Sequence, residues 1–335
     1  MQDTSMLCNV TIPVFNRPAT TEQTIRALAA TSRTTPFCIT VVDNGSDQSL
    51  VQTLCLLRKE GLIDNLFLLP RNMGVACAVN VGWELVPASI YMKLDNDTAI
   101  IRRHWLRDLL ALWAHGRPVS NLGGAFDTAM LRKTPGCQQT PHGELGLCIG
   151  NLPGQAILIP KAVTDILGFW NEEYGLYGGE DGDYGLRMLA AGLPQYYYLG
   201  PQYFTNLHED DDTRSTYALH GIDKRRLHRE LAIKDNLHMG RLFMNKLFYQ
   251  LGLRSLKPMR RYAVDDVDAQ GHVRLVERKE YKEFQRDLTK GTASLQSAFR
   301  EHIMAFRPDE ATASTVQALM ARHGQARAFA PKTDM

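Results

Sequence analysis

At 335 residues and 44% hydrophobic composition, the chain is expected to be globular, with room for one large domain or one domain plus a substantial appendix. No uninterrupted apolar run approaches the roughly 18 residues of a membrane span, and MQDTSMLCNVTIPVF carries an Asp where a secretion signal would be basic, so neither class is expected. The net charge of +2 hides an asymmetry: 16 basic against 22 acidic residues through His220, then 22 against 14 beyond it.

In chain order, LCNVTIPVF reads as a strand and PATTEQTIRALAAT as a helix opened by Pro18. FCITVVDNGS is a second strand ending in turn residues, SLVQTLCLLRKEG a helix and NLFLLP a third strand. MGVACAVNVGWELV is a third helix, and ASIYMKLDNDT a fourth strand. The resulting βαβαβαβ order predicts an α/β fold with a mostly parallel sheet and helices on both faces. In such sheets the ligand site lies beyond the carboxyl ends of the strands. From about Gly123 to Tyr203 the pattern is less regular, with strands QAILIP and PQYYYLG flanking the helix DYGLRMLAAG. Past about Thr213 the chain turns helical and basic, with a turn-like break around Asp265 to Gly271. Residues 1–213 are therefore expected to form the first domain and 214–335 a basic, mainly helical region. The six cysteines (Cys8, Cys38, Cys55, Cys77, Cys137, Cys148) form no CxxC pair, which favours reduced, buried thiols in a cytoplasmic protein over disulfides or a zinc site.

Three stretches carry chemistry. In LDND, Asp95 and Asp97 lie one residue apart where a strand ends, so their side chains point the same way. They are oxygen ligands suited to Mg2+ or Mn2+, or else they cap a turn; both readings stand. In LYGGEDGDYGLRMLAAG, Glu180 and Asp181 follow Gly178 and Gly179 and open a helix. A carboxylate at that positive end stays ionised and can accept a proton; a plain N-cap with first-turn acids is the structural alternative. In FTNLHEDDDT, His208 beside four acids is either a third metal ligand or part of a solvated face.

Taken together, TIPVFNRP, VVDNGS, RNMGVACAVNVG, LDND and GFWNEEYGLYGGEDGDYGLRM with its later His resemble the family-2-like glycosyltransferases of the nucleotide-sugar-binding fold called GT-A, over about residues 7 to 210. YGGEDGD also looks like the corresponding segment of animal galactosyltransferases, with Tyr177 in place of their Trp.

The resemblance implies a GT-A fold, a nucleoside-diphosphate sugar as donor, and Mn2+ or Mg2+. It implies that Asp43 contacts the base or ribose, with Pro13, Phe15 and Arg17 in the same pocket. Asn72 and Gly74 would approach the donor, Asp95 and Asn96 would face it, and Asp97 with His208 would hold the metal. Asp181 would be the general base, Glu180 would hydrogen-bond a sugar, and Tyr177, Gly178 and Gly179 would contact donor or acceptor. A base opposite the leaving group implies inversion at the anomeric carbon. Gly182 and Asp183 leave the choice of base open, with Asp181 favoured as the second acid of the Glu-Asp pair.

Residues 221–261 hold 11 basic and 3 acidic residues. Their apolar positions approximate helical spacing, so they are read first as amphipathic helices packing on the catalytic domain. Alternatively they dock to an anionic membrane carrying a lipid-linked acceptor, or to nucleic acid if the acceptor is a modified base in DNA. The acceptor is expected to be a glycan or lipid-linked saccharide, with DNA as the alternative, and the protein to be cytoplasmic or peripheral at a membrane. A sugar nucleotidyltransferase is disfavoured because IPVFNRP stands where its glycine-rich loop belongs. A calcium loop is disfavoured because LDNDTAIIRRHW lacks the alternating ligands and distal Glu. A non-catalytic nucleotide-sugar- or glycan-binding protein is the competitor from another class.

Overall fold

CNVTIPV and FCITVVD form β1 (Cys8–Val14) and β2 (Phe37–Asp43), parallel neighbours buried along almost their whole length. Continuous β-branched runs of this kind suit strands covered on both faces. The computed structural model describes residues 7–124, 137–148, 150, 152–199, 202–207, 237–293, 295 and 309–327.

The predicted alternation is observed: α1 (Pro18–Ala29), α2 (Gln48–Lys59), β3 (Asn65–Leu68), α3 (Val75–Leu85) and β4 (Ile90–Leu94) follow in turn. Short elements then enter: β5 (Thr98–Ile100), α4 (Trp105–Trp113), β6 (Asn121–Gly124), β7 (Gln138–Thr140), β8 (Gly143–Leu147), β9 (Ala156–Pro160), α5 (Lys161–Leu167), α6 (Glu180–Ala190), β10 (Gln195–Leu199) and β11 (Phe204–Asn206). The main sheet has the order β3-β2-β1-β4-β9-β6-β10-β8-β7. Only β9 and β8 run against the others, since β4–β9, β6–β9, β10–β8 and β7–β8 pair antiparallel and the remaining neighbours parallel. The sheet is thus mostly parallel, and chain order reverses at β1 and β4, where such folds open their crevice.

Two apolar layers sandwich the sheet. Cys8, Val10, Ile12 and Val14 of β1 pack with Ile25 and Leu28 of α1 and Leu50, Leu54 and Leu57 of α2. Each such buried aliphatic side chain contributes roughly 1.5–3 kcal/mol. The opposite side chains of β1 meet α3. Asn9 Nδ2 donates to the Gly82 and Val86 carbonyls at 3.1 and 2.8 Å, and a Cβ on Gly82 would lie 2.7 Å from Thr11, so a larger residue would push α3 off the sheet.

The C-terminal region holds α7 (Leu237–Gln250), α8 (Lys279–Gly291) and α9 (Glu310–Arg322), as expected of a helical extension. The turn-like break around 265–271 is the tip of a hairpin, β12 (Tyr262–Val267) and β13 (Val273–Glu277). That tip lies along the β3 edge: Leu68 N donates to Gly271 O at 2.8 Å, and Leu68 bridges to His272. The proposed boundary at 213/214 and residues 221–236 of the basic segment lie outside the described residues. Among those described, no helix is long and apolar enough to cross a membrane.

Candidate active site

The chain leaves β1 through Pro13 and Phe15 into Asn16 and Arg17, which hold φ values of 55° and 62°. Left-handed backbone at a non-glycine pair costs of order 1–3 kcal/mol per residue and persists only where surroundings enforce it. Here they do. Asn16 N donates to Ser46 Oγ at 2.8 Å and Asn16 Oδ1 accepts from Asp47 N at 2.9 Å, while Thr21 N closes the first turn of α1 on Arg17 O at 3.1 Å. The turn aims Arg17 at Asp97, with Nη1 2.5 Å from Oδ2.

At the end of β4, Lys93 and Asp95 share a side of the extended chain. The buried Lys93 ammonium pairs with the Asp95 carboxylate and donates to Gly154 O at 2.5 Å. Burial lowers the Lys93 pKa, but Asp95, Glu180 and Asp181 outweigh it and hold it above the ordinary value. Burial raises the Asp95 carboxyl, with Lys93 opposing and Asp97 reinforcing. Asn96 turns away, its Nδ2 donating to Thr21 Oγ1 at 2.9 Å. Asp97 is buried, and its carbonyl accepts from Leu207 N at 2.8 Å beyond the antiparallel pairing of β5 with β11. His208 itself lies outside the described residues.

Across from these groups, Gly179 caps α6 with φ 90°, and a Cβ there would stand 2.7 Å from the Tyr174 ring. Glu180 is buried at the helix start, and burial, then Asp181, push its carboxyl up to about 7 against the opposing Lys93. Asp181 is half-buried and takes Gly182 N on Oδ1 at 2.7 Å. Asp183, the rival base, is fully enclosed. Its Oδ1 accepts from Asn171, Tyr174, Asn245 and Tyr249, and its Oδ2 from Arg187 Nε, so no acceptor reaches it.

These strand and helix ends enclose a cleft of about 350 Å³. Of the predicted residues, Pro13, Phe15, Arg17, Asp95, Asn96, Asp97, Tyr177, Glu180 and Asp181 line it; Asp43, Asn72, Gly74, Gly178 and Gly179 do not. Asp43 lies one residue behind the lining Asn44, with Oδ2 accepting from Gly45 N and Ser46 N at 3.2 Å and Oδ1 unpartnered among the described residues. Burial raises its carboxyl. Asn72 supports Asn44, whose Nδ2 donates to Asn72 Oδ1 at 3.0 Å. Gly74 is glycine because a Cβ would come within 2.2 Å of Gly175 O. Lys93, Asn44, Gln155 and Asn206 also line the cleft and were not anticipated.

Among the described residues, no group of three or more His, Cys, Asp and Glu is placed to hold a metal ion. The oxygen pair Asp95 and Asp97 nevertheless fits Mg2+ or Mn2+, which take one or two carboxylates and complete their sphere with water and substrate phosphates.

Residues 9–133 match the model of the family described as Glycosyl transferase family 2. Among solved structures, the chain is similar to S. aureus TarS, with a TM-score of 0.47 and 16% identity, covering 74% of this chain and 43% of that one. It is similar to the mannosyltransferase PcManGT from Pyrobaculum calidifontis in complex with GDP-Man and Mn2+, with a TM-score of 0.48, 14% identity, and 96% and 87% coverage. It is also similar to GalNAc-T7 with UDP, GalNAc and Mn2+, with a TM-score of 0.49, 12% identity, and 97% and 56% coverage. The chain thus spans less than half of TarS. No curated protein matches it.

Proposed function

We propose, from the match of residues 9–133 to the Glycosyl transferase family 2 model, that this chain is a family-2-like glycosyltransferase of GT-A fold that transfers a sugar from a nucleoside-diphosphate sugar to a saccharide hydroxyl by metal-dependent single displacement. The observation that carries the reading is one cleft bounded by Asp95 and Asp97 on one side and by Glu180 and Asp181 on the other.

Pro13, Phe15, Asn44 and Asp95 would receive the nucleoside, with Asp43 and Asn72 holding the Asn44 loop behind them. Asp97, with His208, would hold Mn2+ or Mg2+. The bound metal offsets the charge that builds on the departing diphosphate. Asp181, the more exposed acid, takes the proton of the acceptor hydroxyl as that oxygen attacks the anomeric carbon; the bond to the diphosphate oxygen breaks with its electrons going to the leaving group, and configuration inverts. Glu180, protonated in part near neutrality, donates a hydrogen bond to a sugar hydroxyl beside Tyr177. Arg254, Arg260 and Arg261 pair with Glu173, Glu172 and Glu277 within the chain, so these three are not offered to an anionic surface.

The test is a thermal-shift and transfer panel of nucleoside diphosphates and their sugars with Mn2+, Mg2+ or EDTA. Ligand binding to the native state raises the melting temperature, so a metal-dependent shift is expected for one nucleotide, lost in Asp97→Ala. Asp181→Asn is expected to keep the shift while transfer falls by about 10²-fold or more. Full transfer by Asp97→Ala would end the metal assignment, and native binding without turnover in wild type would favour the binding-protein reading.

A further inference from the structure

We propose that Arg17 makes binding of the divalent cation and binding of the donor diphosphate depend on one another, an inference that rests on the reading of Asp97 as a metal ligand. The two side chains are only 8% and 10% exposed and meet at 2.5 Å, so the guanidinium and any cation on Asp97 compete for the same carboxylate out of bulk water. A cation about 2.1 Å from a carboxylate oxygen would stand close to the guanidinium, and like charges repel strongly in a poorly solvated cleft.

Arg17 cannot relieve this by moving its main chain. Its backbone is fixed in the left-handed region by the Ser46, Asp47 and Thr21 contacts, so only the side chain swings. A diphosphate resolves the conflict twice over. Its negative charge offsets the two cations, and its oxygens match the planar fork of a guanidinium. Arg17 therefore leaves Asp97 for the diphosphate as the cation arrives. Lys93, the other lysine or arginine lining the cleft among the described residues, is held by Asp95 and Gly154 O and does not substitute. Coupling of this kind is reciprocal: whatever factor the diphosphate adds to cation affinity, the cation adds to diphosphate affinity.

The experiment titrates Mn2+, followed by the paramagnetic resonance signal of the free ion, into wild type, Arg17→Met, Arg17→Gln and Asp97→Asn. Each is measured alone and with UDP, GDP, CDP or ADP present. For wild type, Mn2+ alone is expected to bind weakly and to tighten roughly tenfold or more with the matching nucleotide, within the usual span of coupling between sites. For Arg17→Met and Arg17→Gln, Mn2+ alone is expected to bind about tenfold tighter than to wild type, with the nucleotide's gain mostly lost. Unchanged or weaker Mn2+ affinity in whichever neutral variant keeps the wild-type circular dichroism overturns the proposal. Mn2+ bound as well by Asp97→Asn as by wild type overturns the metal assignment itself, a separate outcome.

Discussion

Glu180 sits where Asp181, Lys93 and Asp95 converge, and its titration has a consequence for stability. Its carboxyl lies at about 7 in the fold against 4.5 as its ordinary value, so the folded protein prefers it protonated. Sign follows from linkage: the contribution is complete below about 4.5 and is lost as pH rises through about 7. Glu180→Gln, which fixes the neutral form, is expected to stabilise the fold at pH 8.5 by at most a few kcal/mol, read as a higher melting temperature. At pH 5 it is expected to change little. Equal melting temperatures of the two proteins at pH 8.5 would show that the fold does not disfavour the ionised carboxylate. Much of this site was legible in the sequence because LDND and GGED place acids at the ends of apolar runs. Lys93 was not, since a lone lysine inside an apolar strand names no partner; its contacts with Asp95 and Gly154 O show why it is there. Gln155 was not, since it reaches the cleft through the antiparallel pairing of β9 with β4, for which local sequence carries no register.

At the scale of elements, α7 anchors the segment that carries Glu180 and Asp181. Asn245 and Tyr249 donate to Asp183 within α6, while Arg254 makes a paired contact with Glu173 just before it. Burial pushes Glu173 up, but Arg254 more than reverses this and its carboxyl stays below the ordinary value. Arg254→Met strands that carboxylate and is expected to cost about 3–5 kcal/mol, read by urea denaturation. Adding Glu173→Gln is expected to recover much of the loss; no recovery would mean that the arginine acts through packing alone. The four long-patterned strands and three helices of the first half were foreseen because each combines an apolar run with flanking turn residues. β5, β6, β7 and β11 were not, since three or four residues of mixed polarity carry too little periodicity to register.

Over the whole molecule, part of the basic surplus of the second half turns inward among the described residues. Arg241 donates to the Glu173 carbonyl, and Arg260 reaches both Glu172 and Glu84. Tyr262 and Val273 of the hairpin pack with Val42 of β2 and Leu69 just past β3. A chain ended before Leu237 is therefore expected to lose cooperative thermal unfolding together with donor hydrolysis and transfer. A native-like melt with a loss confined to acceptor use would instead identify the region as an acceptor module. Composition recorded the charge asymmetry, but the partners of Arg241, Arg254 and Arg260 lie 68 to 176 positions away in sequence, beyond any local pattern.

The Gly271 tip against β3 also bears on how the protein is made. Ribosomes deliver β1 to β4 first, and a growing chain folds largely in that order. Until residues 271–273 emerge, β3 offers unpaired backbone groups to any passing strand, so this edge stays open to mispairing while the segment between β3 and the hairpin tip is being made.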